Sequence, residues 1–132
     1  MLIIPGGAVG IFLLWTAFCL SPSEKGFGTH QQLGFPPCTV VEFFNMPCPS
    51  CGMTTSWSYL TKGNLTAAFR SNAGGAFLGI ATFLLSPWLL VSGLKGTWWI
   101  AAPDMVAGFY ILLGITIVTV VQWVIWINFF PI

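Results

Sequence analysis

The stretch "AGGAFLGIATFLLSPWLLVSG", residues 73–93, decides how the rest of the chain is read. It has no charged side chain over a length that matches the roughly 20 apolar residues needed to cross a bilayer's hydrocarbon. Around it lies a 132-residue chain that is 56% hydrophobic and 5% charged, whereas soluble domains carry about a quarter charged residues. That balance puts the chain in lipid. Two more uncharged runs qualify as spans: "LIIPGGAVGIFLLWTAFCL", residues 2–20, and the stretch from about Met105 to Phe130, long enough to tilt. A cleaved signal peptide is the rival reading of the first run, but no Lys or Arg precedes it and no small-x-small site follows, so it reads as an anchor.

The expected fold class is therefore an all-α integral membrane protein, one membrane domain over 1–132. It has spans at about 2–20, 73–93 and 105–130 and a polar loop, 21–72, between the first and second. Pro87 is expected to kink the second span, Trp98 and Trp99 suit the headgroup layer, and Asp104 is placed to cap the third span. Gly6-x-x-x-Gly10 and Gly75-x-x-x-Gly79 are small-residue pairs that let helix backbones approach closely, within this chain or on a partner.

From Ser21 the composition turns polar and rich in Gly and Pro, the mark of a turn-laden loop. Two short helices follow within it. Met53, Trp57 and Leu60 recur at i, i+4 and i+7, with Gly63 ending that helix; Asn64 then fits an N-cap for a second, whose Leu65, Ala68 and Phe69 share a face. With one apolar face each, directly before a span, both are expected to lie along the lipid surface. Lys25, Lys62 and Arg70 in the loop outnumber Lys95 on the other side, which favours a cytoplasmic cysteine loop by the positive-inside rule.

A net charge of +1 offers no footprint for nucleic acid. The span interiors contain no Asp, Glu, Lys, Arg or His, the usual markers of proton relays and transport sites, and no histidine pair for haem. Gln122 near the end of the third span is read as a polar residue bonding a neighbouring helix, with quinone or lipid contact as the sharper alternative.

The chemistry gathers at "CPSCGMTT", residues 48–55. In a Cys-Pro-x-Cys-Gly turn the two-residue spacer lets backbone N–H groups point at the first sulfur, and Gly52 accepts a positive φ. This is half of a zinc ribbon. A tetrahedral site needs Cys38 as well, plus a fourth ligand for which His30, Glu42 or a second subunit are the candidates. The alternative is thiol chemistry, since Cys51 just ahead of a helix amino terminus is expected to have a lowered pKa. The plain reading is a structural turn that ties the loop over the membrane, with its cysteines reduced or bridged. Cys19 ends an apolar run and is assigned no role.

Cys38, nine intervening residues, "CPSCGMT" and then "KGNLTAAFRSN" resemble an uncharacterised family of small bacterial membrane proteins, domain of unknown function 2752. Cys38, Cys48, Pro49, Cys51, Gly52, Thr54, Gly63, Leu65, Ala68, Phe69 and Asn72 match its pattern, and the similarity covers about residues 36–90. The chain departs from it at Thr39 and Ala73, where the pattern has Pro, and at Thr55, where it has Arg. The resemblance implies a multi-pass membrane protein, in the bacterial inner membrane, and supplies no activity.

The first-ranked reading is a small non-catalytic membrane subunit that packs against partner membrane proteins, its cysteine knuckle stabilising the loop. The second is a zinc-like metal site on Cys38, Cys48 and Cys51. The third is a membrane thiol oxidoreductase using Cys48 and Cys51. No catalytic residue and no organic cofactor is assigned.

Overall fold

Glycines, prolines and capping side chains cut the chain into helices, and the computed structural model describes them over residues 3–129. Leu2, expected to open the first span, and Phe130, expected to close the third, lie outside the described residues. The α-helices are α1 (Ile3–Cys19), α2 (Thr39–Phe44), α3 (Met53–Thr61), α4 (Leu65–Ser71), α5 (Ala73–Lys95) and α6 (Met105–Phe129), with a 3₁₀ turn at Thr29–Leu33. No strand occurs among the described residues.

Several boundaries have visible causes. The Asn64 side chain accepts the Ala67 N–H at 3.1 Å to start α4, and Asp104 accepts the Val106 N–H at 2.9 Å to start α6. Both caps satisfy amide groups that have no intrahelical partner. Gly63 turns the chain at φ +78° after α3. Helix α5 runs unbroken through Pro87 and ends two residues beyond the expected span.

Helices α5 and α6 are long and apolar enough to cross a membrane. Helix α1, at 17 residues, is shorter than the roughly 20 that a crossing needs. It runs antiparallel to α5, because Ile4 meets Gly93 while Gly10 meets Ser86. The close approach expected at Gly6 falls one residue later. A Cβ on Gly6 would meet nothing within 4 Å, whereas one on Gly7 would lie 2.8 Å from the backbone of both Ser86 and Leu90. Gly75 and Gly79 do not face another long helix. They make room for Met53, Trp57 and Leu60 of α3, while the neighbouring Gly74 admits Thr119 of α6.

Helix α3 therefore does not lie on the lipid surface as expected; it is wedged among the other helices. Its apolar stripe packs on α5, and its hydroxyl side is buried: Thr55, Ser56 and Ser58 are fully enclosed. Each hydroxyl ties α3 to another segment. Thr55 Oγ1 lies 2.7 Å from Thr29 Oγ1, Ser56 donates to the Asn72 carbonyl at 3.1 Å, and Ser58 donates to the Leu20 carbonyl at 2.7 Å. Lys62 Nζ donates to the Phe18 and Leu20 carbonyls at the end of α1, where a cation also meets the negative end of the helix dipole. In α4, Ala68 is buried and Phe69 packs edge-to-face on Phe77 of α5 at 5.1 Å.

The resulting interior is small and hydroxyl-rich, while Phe12, Trp15, Phe83, Tyr110 and Ile111 point outwards. A water-soluble fold places these classes the other way round. Because Gly7 faces backbone and Gly6 faces open space, Gly7→Val forces α1 away from α5 whereas Gly6→Val does not. We expect Gly7→Val to lose about 1–3 kcal/mol, read as a lowered midpoint of thermal unfolding in detergent. Gly6→Val should melt with the wild type.

Candidate metal centre

The knuckle begins where Cys48 enters a tight turn, closed by the Cys51 N–H donating to the Cys48 carbonyl at 3.0 Å and the Met53 N–H to Ser50 at 3.2 Å. Gly52 follows with φ +84°. No other residue fits there, because a Cβ would run into the Ser71 carbonyl and come within 2.5 Å of the Gly26 carbonyl. The chain thus lodges Gly52 between the loop after α1 and the end of α4, and that fixes where the sulfurs point.

Asn72, which is almost fully buried, holds the knuckle from below. Its Nδ2 donates to the Pro49 and Cys51 carbonyls, each at 3.1 Å. Its Oδ1 accepts the Gly75 N–H at 2.7 Å and so caps α5. Its own carbonyl takes the Ala76 N–H at 2.8 Å as well as the Ser56 hydroxyl. Gln122 of α6 clasps the same corner, accepting the Ala73 N–H and donating to the Phe69 carbonyl at 3.0 Å. The reading of Gln122 as a residue bonding a neighbouring helix is what the geometry shows. Trp123 adds an indole N–H donated to the Pro47 carbonyl at 2.6 Å.

Cys38 arrives from the other side as the N-cap of α2. The Sγ atoms of Cys38, Cys48 and Cys51 all lie within 4.8 Å of one another, and all are free thiols. The Cys48 and Cys51 sulfurs lie 2.9 Å apart. That spacing sits between the roughly 2.05 Å of a disulfide and the roughly 3.8 Å edge of a tetrahedron with 2.3 Å metal–sulfur bonds. Less than 1 Å of movement reaches either.

The expected amide donation to the first sulfur is not what holds the pair. The Cys48 N–H instead donates to Cys51 Sγ at 3.2 Å, and Cys48 Sγ has the Ser50 hydroxyl at 3.3 Å. The thiol pKa values also differ from expectation. Burial, followed by the neighbouring Cys48 thiol, pushes Cys51 far up, so the approach of α3 does not make it a thiolate. Cys38 is the thiol whose pKa falls. Its partial burial acts upwards but is outweighed by the Val41 amide, the Cys51 thiol and the Val40 amide. The start of α2 does for Cys38 what α3 was expected to do for Cys51.

The three sulfurs edge a cavity of about 260 Å³, whose wall includes Phe27, His30, Pro37, Val41 and Met53. His30 shares the cavity without joining the sulfur cluster. Glu42 is exposed on α2 and does not reach the cavity. Cys19 is exposed at the end of α1, apart from the others. Sequence reasoning missed Asn72 as the support of the site. The signal was present, since an Asn directly before an apolar run is a helix-cap pattern.

Residues 38–86 match the family model described as protein of unknown function (DUF2752). The resemblance noted from the cysteine pattern thus holds over the segment that contains all three sulfurs, α2 to α4 and over half of α5. No curated protein and no solved structure matches the chain.

Two outcomes follow from this geometry. Asn72→Ala removes the donor from the Pro49 and Cys51 carbonyls, and the buried Cys51 carbonyl, left unpaired, costs about 1–3 kcal/mol. Alkylation of Cys51 in the folded protein should then rise by about tenfold or more, as read by peptide mass spectrometry, while Asn72→Asp, which restores only the acceptor, should behave like Asn72→Ala. In the metal-free protein, a lowered pKa means that thiolate persists to lower pH. The rate of Cys38 alkylation should reach half its maximum at lower pH than that of an unperturbed thiol, with Cys51 the last of the three to react.

Proposed function

We propose that this chain is a small, non-catalytic, multi-pass membrane protein whose loop is fastened by a zinc-like metal centre on Cys38, Cys48 and Cys51. The observation that carries the reading is the third sulfur. A Cys48–Cys51 disulfide uses two thiols and leaves Cys38 beside them with nothing to do, whereas a soft metal ion uses all three.

Three thiolates on a divalent ion total one negative charge, so a neutral fourth ligand is favoured in a half-buried site. The His30 imidazole, on the wall of the same cavity, and water are both neutral. Metal at this point joins α2 to the knuckle, and the knuckle is already bonded to α4, α5 and α6. The ion therefore locks the loop over the helix ends.

In this reading α1 crosses the bilayer alongside α5, supported by its outward Phe12 and Trp15, and the cysteine loop faces the cytoplasm of a bacterial inner membrane. Other membrane subunits remain the proposed partners. That role rests on the outward apolar surfaces of α1 and α6, because Gly10, Gly75 and Gly79 are filled by this chain's own helices.

Elemental analysis of protein purified gently and without chelator tests the centre. We expect about one zinc-like ion per chain, retained by Cys19→Ser and lost from the Cys48→Ser, Cys51→Ser double variant and from Cys38→Ser. Metal-free wild type that also fails to take up added Zn²⁺ or Co²⁺ would remove the proposal.

A further inference from the structure

Helix α2 was not expected from the sequence, and it buries none of its residues. Phe43 and Phe44 on it are 77% and 67% exposed, and Phe35, just before it, is 61% exposed, with Met46 just after it also outward. Such a cluster of large apolar side chains on one short segment marks an interaction surface. Val40 and Val41 are its more sheltered residues, and Val41 faces the cysteine cavity. The phenylalanines point elsewhere.

The depth of this segment can be read from α6. Trp123 donates its indole N–H to the Pro47 carbonyl, so the chain leaving α2 is at the level of Trp123. At 1.5 Å per residue, Trp123 lies about 27 Å along α6 from Met105, inside the roughly 30 Å of a bilayer's hydrocarbon measured from the Asp104 cap. Beyond that level Val124 and Ile125 are still outward and apolar. The same level holds the Ala73 end of α5, through its bond to Gln122. Pro47 is thus fixed at the boundary between acyl chains and headgroups, beside a helix face that is itself turned to lipid.

We infer that the α2 segment is a lipid-insertion element: Phe35, Phe43, Phe44 and Met46 enter the acyl layer of the leaflet on the cysteine side. Glu42, exposed on the same helix, carries the charge that stays with the headgroups. This rests on the membrane reading proposed above and adds to it a position for the thiol cluster. Cys38 begins α2, so the cluster sits at the acyl–headgroup boundary instead of out in the aqueous phase.

Photocrosslinking of the full chain tests this. Phe43→p-benzoylphenylalanine and, separately, Phe44→p-benzoylphenylalanine are placed in protein reconstituted into phosphatidylcholine–phosphatidylglycerol vesicles and irradiated, and adducts are read by intact mass. Ile125→p-benzoylphenylalanine on α6 is the lipid-facing reference, and unirradiated samples give the background. The expected result is phospholipid adducts at Phe43 and Phe44 within about twofold of Ile125, and several-fold above the unirradiated background. Phospholipid adducts at Ile125 with none at Phe43 or Phe44 overturn the insertion alone. Crosslinks from α2 to a second copy, or to another protein when the irradiation is repeated in native membranes, overturn it in favour of a protein interface. No lipid at Ile125 either would overturn the membrane reading and this inference with it.

Discussion

One buried carboxamide sets the geometry on which the rest of this protein depends. Asn72 lies between α4 and α5 and has no unsatisfied polar atom. Its side chain holds two knuckle carbonyls and caps α5, and its backbone joins α4 to α5 and accepts from α3. Asparagine is the side chain that offers two donors and an acceptor on one short stem. Aspartate lacks the donors, and glutamine would move both ends by a methylene. The link between a turn that carries sulfurs and a helix long and apolar enough to cross a membrane therefore runs through one side chain.

The polar groups of the loop serve a similar purpose. In a chain with so few charges, three hydroxyls in succession at Thr54, Thr55 and Ser56 look like a site. Two of them are staples, and Ser58 is a third. Each ties its helix to another segment at a buried position where water is scarce, and a buried hydroxyl left without such a partner costs more there than the bond itself contributes. Lys62 does this for the end of α1, where Phe18 and Leu20 present carbonyls at a helix terminus. Chemistry that looks reactive in the sequence is largely spent on joining helices whose apolar sides are turned outwards.

The long elements were legible from their length and their lack of charge. Residues 73–93 and 105–130 have no charge over a length that few soluble helices reach, and the Asn64 and Asp104 caps follow from side-chain chemistry one turn away. The cysteine cluster was legible too, because Cys48 and Cys51 are tied by local turn geometry and Cys38 is close enough in sequence to return. What failed was whatever depends on which face meets which neighbour. The stripe of Met53, Trp57 and Leu60 is equally consistent with lipid and with the glycine face of α5, and periodicity does not tell the two apart. Gly6 and Gly7 differ by 100° of helix rotation, which a spacing rule cannot resolve without the partner's position. The expected thiolate at Cys51 failed because burial acts against a charge and is invisible in a sequence. Helix α2 escaped notice because "TVVEFF" is too short for any period to show.

The position of Gly52 couples the sulfur cluster to the long apolar helices. With its backbone pressed against the Gly26 and Ser71 carbonyls, the knuckle cannot rotate unless the loop after α1 or the end of α4 moves with it. The same turn delivers Cys51 inwards to Cys48 and, through Asn72, fixes the register of the first turn of α5. A change of separation between Cys48 and Cys51, whether by metal binding or by bond formation, is of the order of 1 Å. That displacement is taken up most readily by the softest element in contact. Helices α3, α4 and α5 are stapled to one another, so the element free to move is α2, which reaches the cluster through Cys38 and buries no side chain of its own. A change in the state of the sulfurs would thus be felt first as a change in the attitude of α2 towards whatever surface its phenylalanines occupy.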